Sequence, residues 1–135
     1  METKRKYIKL QDLEVYQLAR ELSKIGWEIY NELDWQTKKI MGNQFISATD
    51  SVGANIAEGY SRFHYLEKIK FYYIARGSLI EANNHWLELL YERDKIEIEK
   101  YKKFQEISKK LSIKLNNFIT ATYKSKNNKS ETDRN

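Results

Sequence analysis

Gln44-Phe45-Ile46-Ser47-Ala48-Thr49-Asp50-Ser51-Val52-Gly53-Ala54-Asn55-Ile56-Ala57-Glu58-Gly59 carries Phe45, Ala48, Val52 and Ile56 at intervals of 3, 4 and 4. That is the period of one buried helix face, not of a strand. Upstream, Asp34 is placed to cap this helix; downstream, Gly59-Tyr60-Ser61-Arg62 offers a stop, so the element is expected over about 36–61. Working outward, Val15, Leu18, Leu22, Ile25 and Ile29, widened by Ala19, Gly26 and Leu33, predict a helix over about 10–33. Phe71, Ile74, Ser78, Ala82, Trp86 and Leu89 predict another over about 65–92. Asp94 followed by Glu97 reads as a capping box ahead of Phe104, Ile107, Leu111, Leu115 and Phe118, which predict a fourth helix over about 96–123. Residues 124–135 carry no large apolar side chain and are expected to form a disordered polar tail. Short connections force neighbouring helices to run antiparallel, so the expected fold is all-α, an up-down-up-down four-helix bundle over 1–123.

Composition narrows the alternatives. The 135 residues include no Pro, no Cys and only 5 Gly, too little turn punctuation for many short strands. Without Cys there is no disulfide framework, zinc-thiolate site or cysteine nucleophile, which is compatible with a cytoplasmic protein. The longest uncharged run, Ile40 to Thr49, is 10 residues, about half of what a membrane-spanning helix needs. Asp12 and Glu14 follow the basic Lys4-Arg5-Lys6 before any apolar run, so a secretory leader is not expected.

There are 24 Lys and Arg against 19 Asp and Glu, and residues 96–135 alone hold 10 basic against 5 acidic side chains. Lys102, Lys103, Lys109, Lys110 and Lys114 make the fourth helix the first candidate for contacting phosphates. The plainer reading of the same residues is a solvated lysine face. The 10 Tyr, 5 Phe and 3 Trp exceed what four narrow seams require. Either some serve a subunit interface, or Tyr60, Tyr65, Tyr72, Tyr73 and Tyr91 sit at the bundle surface with their hydroxyls in water.

Polar residues also occur beside the apolar stripes. Ser51, Asn55, Glu58 and Arg62 share one side of the second helix, and Ser78, Glu81 and His85 share one side of the third. Carboxylates brought toward an interior edge need partners. A metal site falls short of ligands, because the chain has only His64 and His85 and no second Glu-His pair. General acid–base chemistry by Glu58 and Glu81 lacks a nucleophile or a phosphate loop beside it. A structural network of Ser51, Asn55, Glu58, Ser78 and Glu81 that fixes helix register accounts for the pattern with no cofactor. Gly77, next to Ser78, would then permit close helix approach.

Gln44 through Gly59 with Arg62, together with Leu13-Glu14-Val15-Tyr16-Gln17-Leu18-Ala19-Arg20 and Phe71-Tyr72-Tyr73-Ile74-Ala75-Arg76-Gly77-Ser78-Leu79-Ile80-Glu81, resembles the small four-helix-bundle proteins named for intervening sequences in large-subunit ribosomal RNA genes. The likeness spans about residues 10–120 in order. It includes the accessory variability protein of diversity-generating retroelements, a pentameric barrel that binds nucleic acid and a reverse transcriptase. The resemblance implies a non-catalytic homo-oligomer, with a pentamer favoured, that binds RNA or DNA; the alternative is an adaptor docking a protein partner. Where the family usually has a basic pair after the glutamine, this chain has Phe45 and Ile46, and Gly53 stands where a proline is common. Phosphate contacts would therefore fall to the fourth helix, with Arg62, Lys68, Lys70 and Arg76 as a second group.

Overall fold

The computed structural model describes residues 7–133, and all regular secondary structure within them is helical. Residues 1–6, on which the expectation about a secretory leader rests, and residues 134–135 lie outside the described residues. After a 3-10 turn at Leu10–Asp12, α1 spans Glu14–Glu32. Helix α2 runs over 35–61 and includes one π-helical turn, Lys38–Gly42, ahead of Asn43–Ser61. Helix α3 runs over 65–92 as Tyr65–Ile80, a π-helical turn Glu81–Trp86, and Leu87–Glu92. Helix α4 spans Ile98–Asp133.

The ends follow from local chemistry. At the start of α2, Asp34 Oδ1 accepts the Thr37 N–H at 2.8 Å and Oδ2 accepts the Thr37 hydroxyl at 2.9 Å. These bonds hold the Asp34 carboxyl below the usual carboxylate range. At the end of α3 the expected capping box gives way to a different device. Asp94 takes a left-handed φ of 58° and closes α3, with Asp94 N–H donating to Tyr91 O at 3.0 Å and Lys95 N–H to Leu90 O at 2.9 Å. The segment 124–133, expected as disordered, continues α4 as helix. It contains neither Gly nor Pro, so nothing in its backbone chemistry ends the helix at 123.

Contacts between helices show the antiparallel register directly. A Cβ at Gly42 would meet Leu33 and Tyr30, one at Gly26 meets Thr49 and Ile46, and Gly53 lies against Ala19. Gly59 lies against Tyr72 and Ser51 against Ser78. Glu88 meets Tyr101 and Arg76 meets Asn116, while Glu28 meets Lys100 and Glu14 meets Lys114. Each pair descends one helix as it climbs its neighbour, closing the ring α1, α2, α3, α4. The centre is filled by Val15, Leu22, Ile29, Phe45, Val52, Ile56, Tyr72, Leu79, Phe104, Leu111 and Leu115. Phe45 packs on Phe104 and Tyr72 on Phe118 with ring centroids 5.2 Å and 4.9 Å apart, tilted pairs that contribute about 1 kcal/mol each beyond their area.

The expected stripe on α3 is displaced. Its buried side chains are Ile69, Tyr72, Ala75, Leu79, Ala82, Leu87 and Leu90. Ile74 is exposed, and Phe71, Ser78, Trp86 and Leu89 are only half-buried. The five-residue step from Ala82 to Leu87 crosses the π turn, which takes up one extra residue; a uniform 3.6 period cannot follow both halves. Tyr72 is core, not surface, and burial raises its phenol pKa. The close approach expected at Gly77 falls instead to Gly59. A Cβ on Gly59 would lie 2.7 Å from Tyr72 Cε1 and 2.9 Å from Phe71 Cβ, whereas one on Gly77 would meet nothing within 4 Å. Close approach is at Gly59.

Candidate nucleic-acid interface

Part of the expected polar network assembles where α2 crosses α3. Ser78 Oγ donates to Ser51 Oγ at 3.1 Å, and Asn55 Nδ2 donates to Ser51 O at 2.8 Å and to Ser51 Oγ at 2.9 Å. Glu58 and Glu81 do not join it. Both are exposed: Glu58 pairs with Arg62 one turn on, and Glu81 accepts the Trp86 indole N–H at 2.8 Å. Their places are set by the true burial faces, since residues 58 and 81 fall outside the stripes centred on Ile56 and Leu79. Each carboxylate is committed within its own helix and neither enters the core, so the arrangement does not pose them as an acid–base pair. Among the described residues, no three His, Cys, Asp or Glu side chains are grouped closely enough to hold a metal ion.

The lysines of α4 divide into two sets. Lys114 Nζ is 3.5 Å from Glu14, Lys100 is 3.2 Å from Glu28 and 3.8 Å from Glu32, and Lys110 is 3.7 Å from Glu106 one turn back. The Glu28 carboxyl is held below its ordinary range by the Lys100 hydrogen bond and charge, with Lys103 and Lys24 adding to it. Glu14, Glu21, Glu28 and Glu32 follow at intervals of 7, 7 and 4, an acidic row on the α4 side of α1. This row meets Lys100 and Lys114 and acts on Lys103. Lys102 and Lys109 are exposed and have no carboxylate within ion-pair distance among the described residues.

The second basic group is largely engaged within the fold. The Arg62 guanidinium stacks 4.8 Å from the Phe71 ring besides pairing with Glu58. Arg76 lies 4.6 Å from the Tyr73 ring, and its Nη1 donates to Asn116 Oδ1 at 3.1 Å. Lys68 donates to Tyr60 O at 2.8 Å, and burial lowers its pKa. Lys70 is exposed with no such partner. Of the cations expected to meet phosphate, Lys70, Lys102 and Lys109 therefore have no carboxylate within ion-pair distance among the described residues, and Lys103, also unpaired at that distance, acts on the Glu28 charge. The acidic row on α1 was not singled out from the sequence, although its interval pattern was there to be found.

Surface openings offer little to a small substrate. One of about 520 Å³ lies at the α3–α4 turn among Tyr91, Asp94, Lys95, Glu97, Ile98 and Glu99, where three carboxylates stand against one lysine. A groove of about 330 Å³ between α3 and α4 is lined by Ile80, Asn83, Gln105, Lys109 and Ile113, with the Asn83 Oδ1 buried and unpartnered. Ile80 and Ile113 at this groove are exposed, as are Leu66, Tyr73 and Ile74 further along α3 toward its start. No described helix is long and apolar enough to cross a membrane.

These features define an antiparallel four-helix-bundle protein whose polar chemistry lies on its surface. The chain belongs to the 23S rRNA-intervening sequence protein family, whose model matches residues 11–117. It is similar to the crystal structure of a protein with unknown function from the S23 ribosomal protein family of Bacteroides thetaiotaomicron. That likeness has a TM-score of 0.72 at 26% identity and covers 78% of this chain and 97% of the other. No curated protein matches it.

Proposed function

We propose that this chain is a non-catalytic, self-associating bundle that binds RNA or DNA through phosphate contacts. The observation that carries the reading is the set of exposed lysines with no carboxylate within ion-pair distance among the described residues, Lys70, Lys102 and Lys109, on a chain with a basic excess. The family's name, which refers to an intervening sequence of 23S rRNA, agrees with it. The family likeness favours a pentamer, and the exposed row Leu66, Tyr73, Ile74, Ile80 and Ile113 is the apolar area such an assembly would cover. Mass measurement in solution with added RNA and DNA, at low and moderate salt, tests both halves. Binding should weaken as salt rises, and K102E/K109E should lower affinity and reduce the slope of log affinity against log salt by about 2, near 0.9 per lost phosphate contact on a duplex. An unchanged slope in that variant would remove α4 from the interface. The same apolar row favours a second reading, an adaptor that docks a protein partner such as a reverse transcriptase. A stable oligomer that binds no nucleic acid at any salt would select it.

A further inference from the structure

The α2 side of α1 differs in kind from its acidic α4 side. Tyr16, Arg20, Ser23, Trp27 and Tyr30 follow at intervals of 4, 3, 4 and 3. Contacts at both ends place them along α2: Tyr30 Cδ2 would be 3.3 Å from a Cβ on Gly42, and Tyr16 Cε1 3.9 Å from one on Gly53. Tyr30 is pinned, because its hydroxyl donates to Asn43 Oδ1 at 2.7 Å and Lys38 Nζ sits 5.0 Å from its ring centroid. Trp27 stacks on Tyr30 with centroids 5.4 Å apart and planes inclined by 17°, yet stays 54% exposed. Near the other end, the Arg20 guanidinium lies 5.7 Å from the Tyr16 ring and donates to the Tyr16 hydroxyl at 3.0 Å.

Among the described residues, the cations of this edge are not ion-paired. Neither Arg20 nor Lys38 has a carboxylate within ion-pair distance among the described residues, and Asp50 is the one acid between positions 35 and 57. A large aromatic face held in place by a second ring, with cations on either side, is the combination that accepts an unstacked base and its flanking phosphates. The row 16–30 also presents no exposed aliphatic side chain, which a lipid-inserting face would need.

We propose that this edge is a seat for single-stranded nucleic acid, with a base stacked on Trp27 and phosphates met by Arg20 and Lys38. The proposal rests on the nucleic-acid reading above and adds a surface distinct from α4. A strand of either RNA or DNA offers the required ring and phosphate.

Fluorescence-anisotropy titrations of the full chain with a dT 12-mer, a U 12-mer and a 12-base-pair DNA duplex test it. Trp27→Ala should weaken single-strand binding about tenfold, Trp27→Phe should restore most of the loss, and duplex binding should barely change. R20E/K38E should weaken single-strand binding and flatten its salt dependence. A Trp27→Ala loss with both 12-mers supports the seat for either strand; a loss with one alone supports it and names RNA or DNA. Single-strand binding at wild-type strength in Trp27→Ala, or an equal loss on the duplex, overturns it. Co-sedimentation with phosphatidylserine vesicles that depends on Trp27, with oligonucleotide binding unaffected, overturns it in favour of a membrane surface. Wild-type chain that binds no oligonucleotide at low salt removes the nucleic-acid reading itself. Wild-type binding that is lost in K102E/K109E but untouched in the Trp27 and Arg20/Lys38 variants leaves that reading standing and removes only this seat.

Discussion

Replacing Gly59 and Gly77 separately by Ala applies one methyl group to two helical sites with opposite surroundings. At Gly59 the new Cβ would stand 2.7 Å from Tyr72 Cε1, 2.9 Å from Phe71 Cβ and 3.0 Å from the Lys68 carbonyl oxygen. None of the three can move aside cheaply. Tyr72 is 1% exposed and packed on Phe118, and the other two atoms belong to the first turns of α3. Helices α2 and α3 must therefore separate locally, an overpacking that costs about 3 kcal/mol. Ala is a better helix former than Gly by about 1 kcal/mol, so Gly59→Ala should lose about 2 kcal/mol net, roughly 8 °C in melting temperature for a chain of this size. At Gly77 the Cβ enters open space, and only the propensity gain remains: about 0.5–1 kcal/mol in favour of the variant. Urea unfolding followed by far-UV circular dichroism, at matched chain concentration, measures both. Equal effects at the two sites, or a Gly59→Ala protein at least as stable as the parent, would refute the argument.

Two further substitutions probe other local devices. Asp94→Gly should raise stability by about 0.5–1 kcal/mol in a thermal melt, because the φ of 58° that closes α3 is strained for Asp and free for Gly. Glu88→Gln should bring the Tyr101 phenol, now pushed up to about 12 chiefly by its hydrogen bond to the Glu88 carboxylate, back toward 10 in an ultraviolet tyrosinate titration. Because the folded state holds that proton more tightly than the unfolded chain, the contribution is present below pH 10 and fades as pH rises from 10 toward 12. The parent should therefore lose stability over that window more steeply than the variant.

The helices were legible because each one's apolar period survives most of its length. Phe45, Ala48, Val52 and Ile56 on α2, and Phe104, Ile107, Leu111 and Leu115 on α4, are buried as their spacing implies. The start of α1 was expected near residue 10, but a 3-10 turn and the buried Leu13 come before the helix proper. On α3 the period changes within the helix, and no uniform count of residues reveals where. The candidate interface was less legible. The lysines of α4 could be found by composition, but which of them pair with a carboxylate depends on Glu14 and Glu28, and that pairing is decided by how α1 lies against α4. Ser51, Asn55 and Ser78 met as their spacing suggested, whereas Glu58 and Glu81 fell just beyond the buried face. Trp27 is ambiguous in sequence, since an isolated tryptophan on a helix is as readily a core residue as a surface one.

The wide turn over Glu81–Trp86 also bears on how the chain could change length. It holds one residue more than a regular helix needs between Ala82 and Leu87. Removing one of the exposed residues there would shorten that step from five to four and leave Leu87 and Leu90 still directed inward, as an ordinary α-helix. Removing a residue elsewhere in α3 would rotate everything beyond it by about 100° and carry its apolar side chains out of the core. Within α3 this is thus the place where the loss of a single residue would leave the packing on both sides intact.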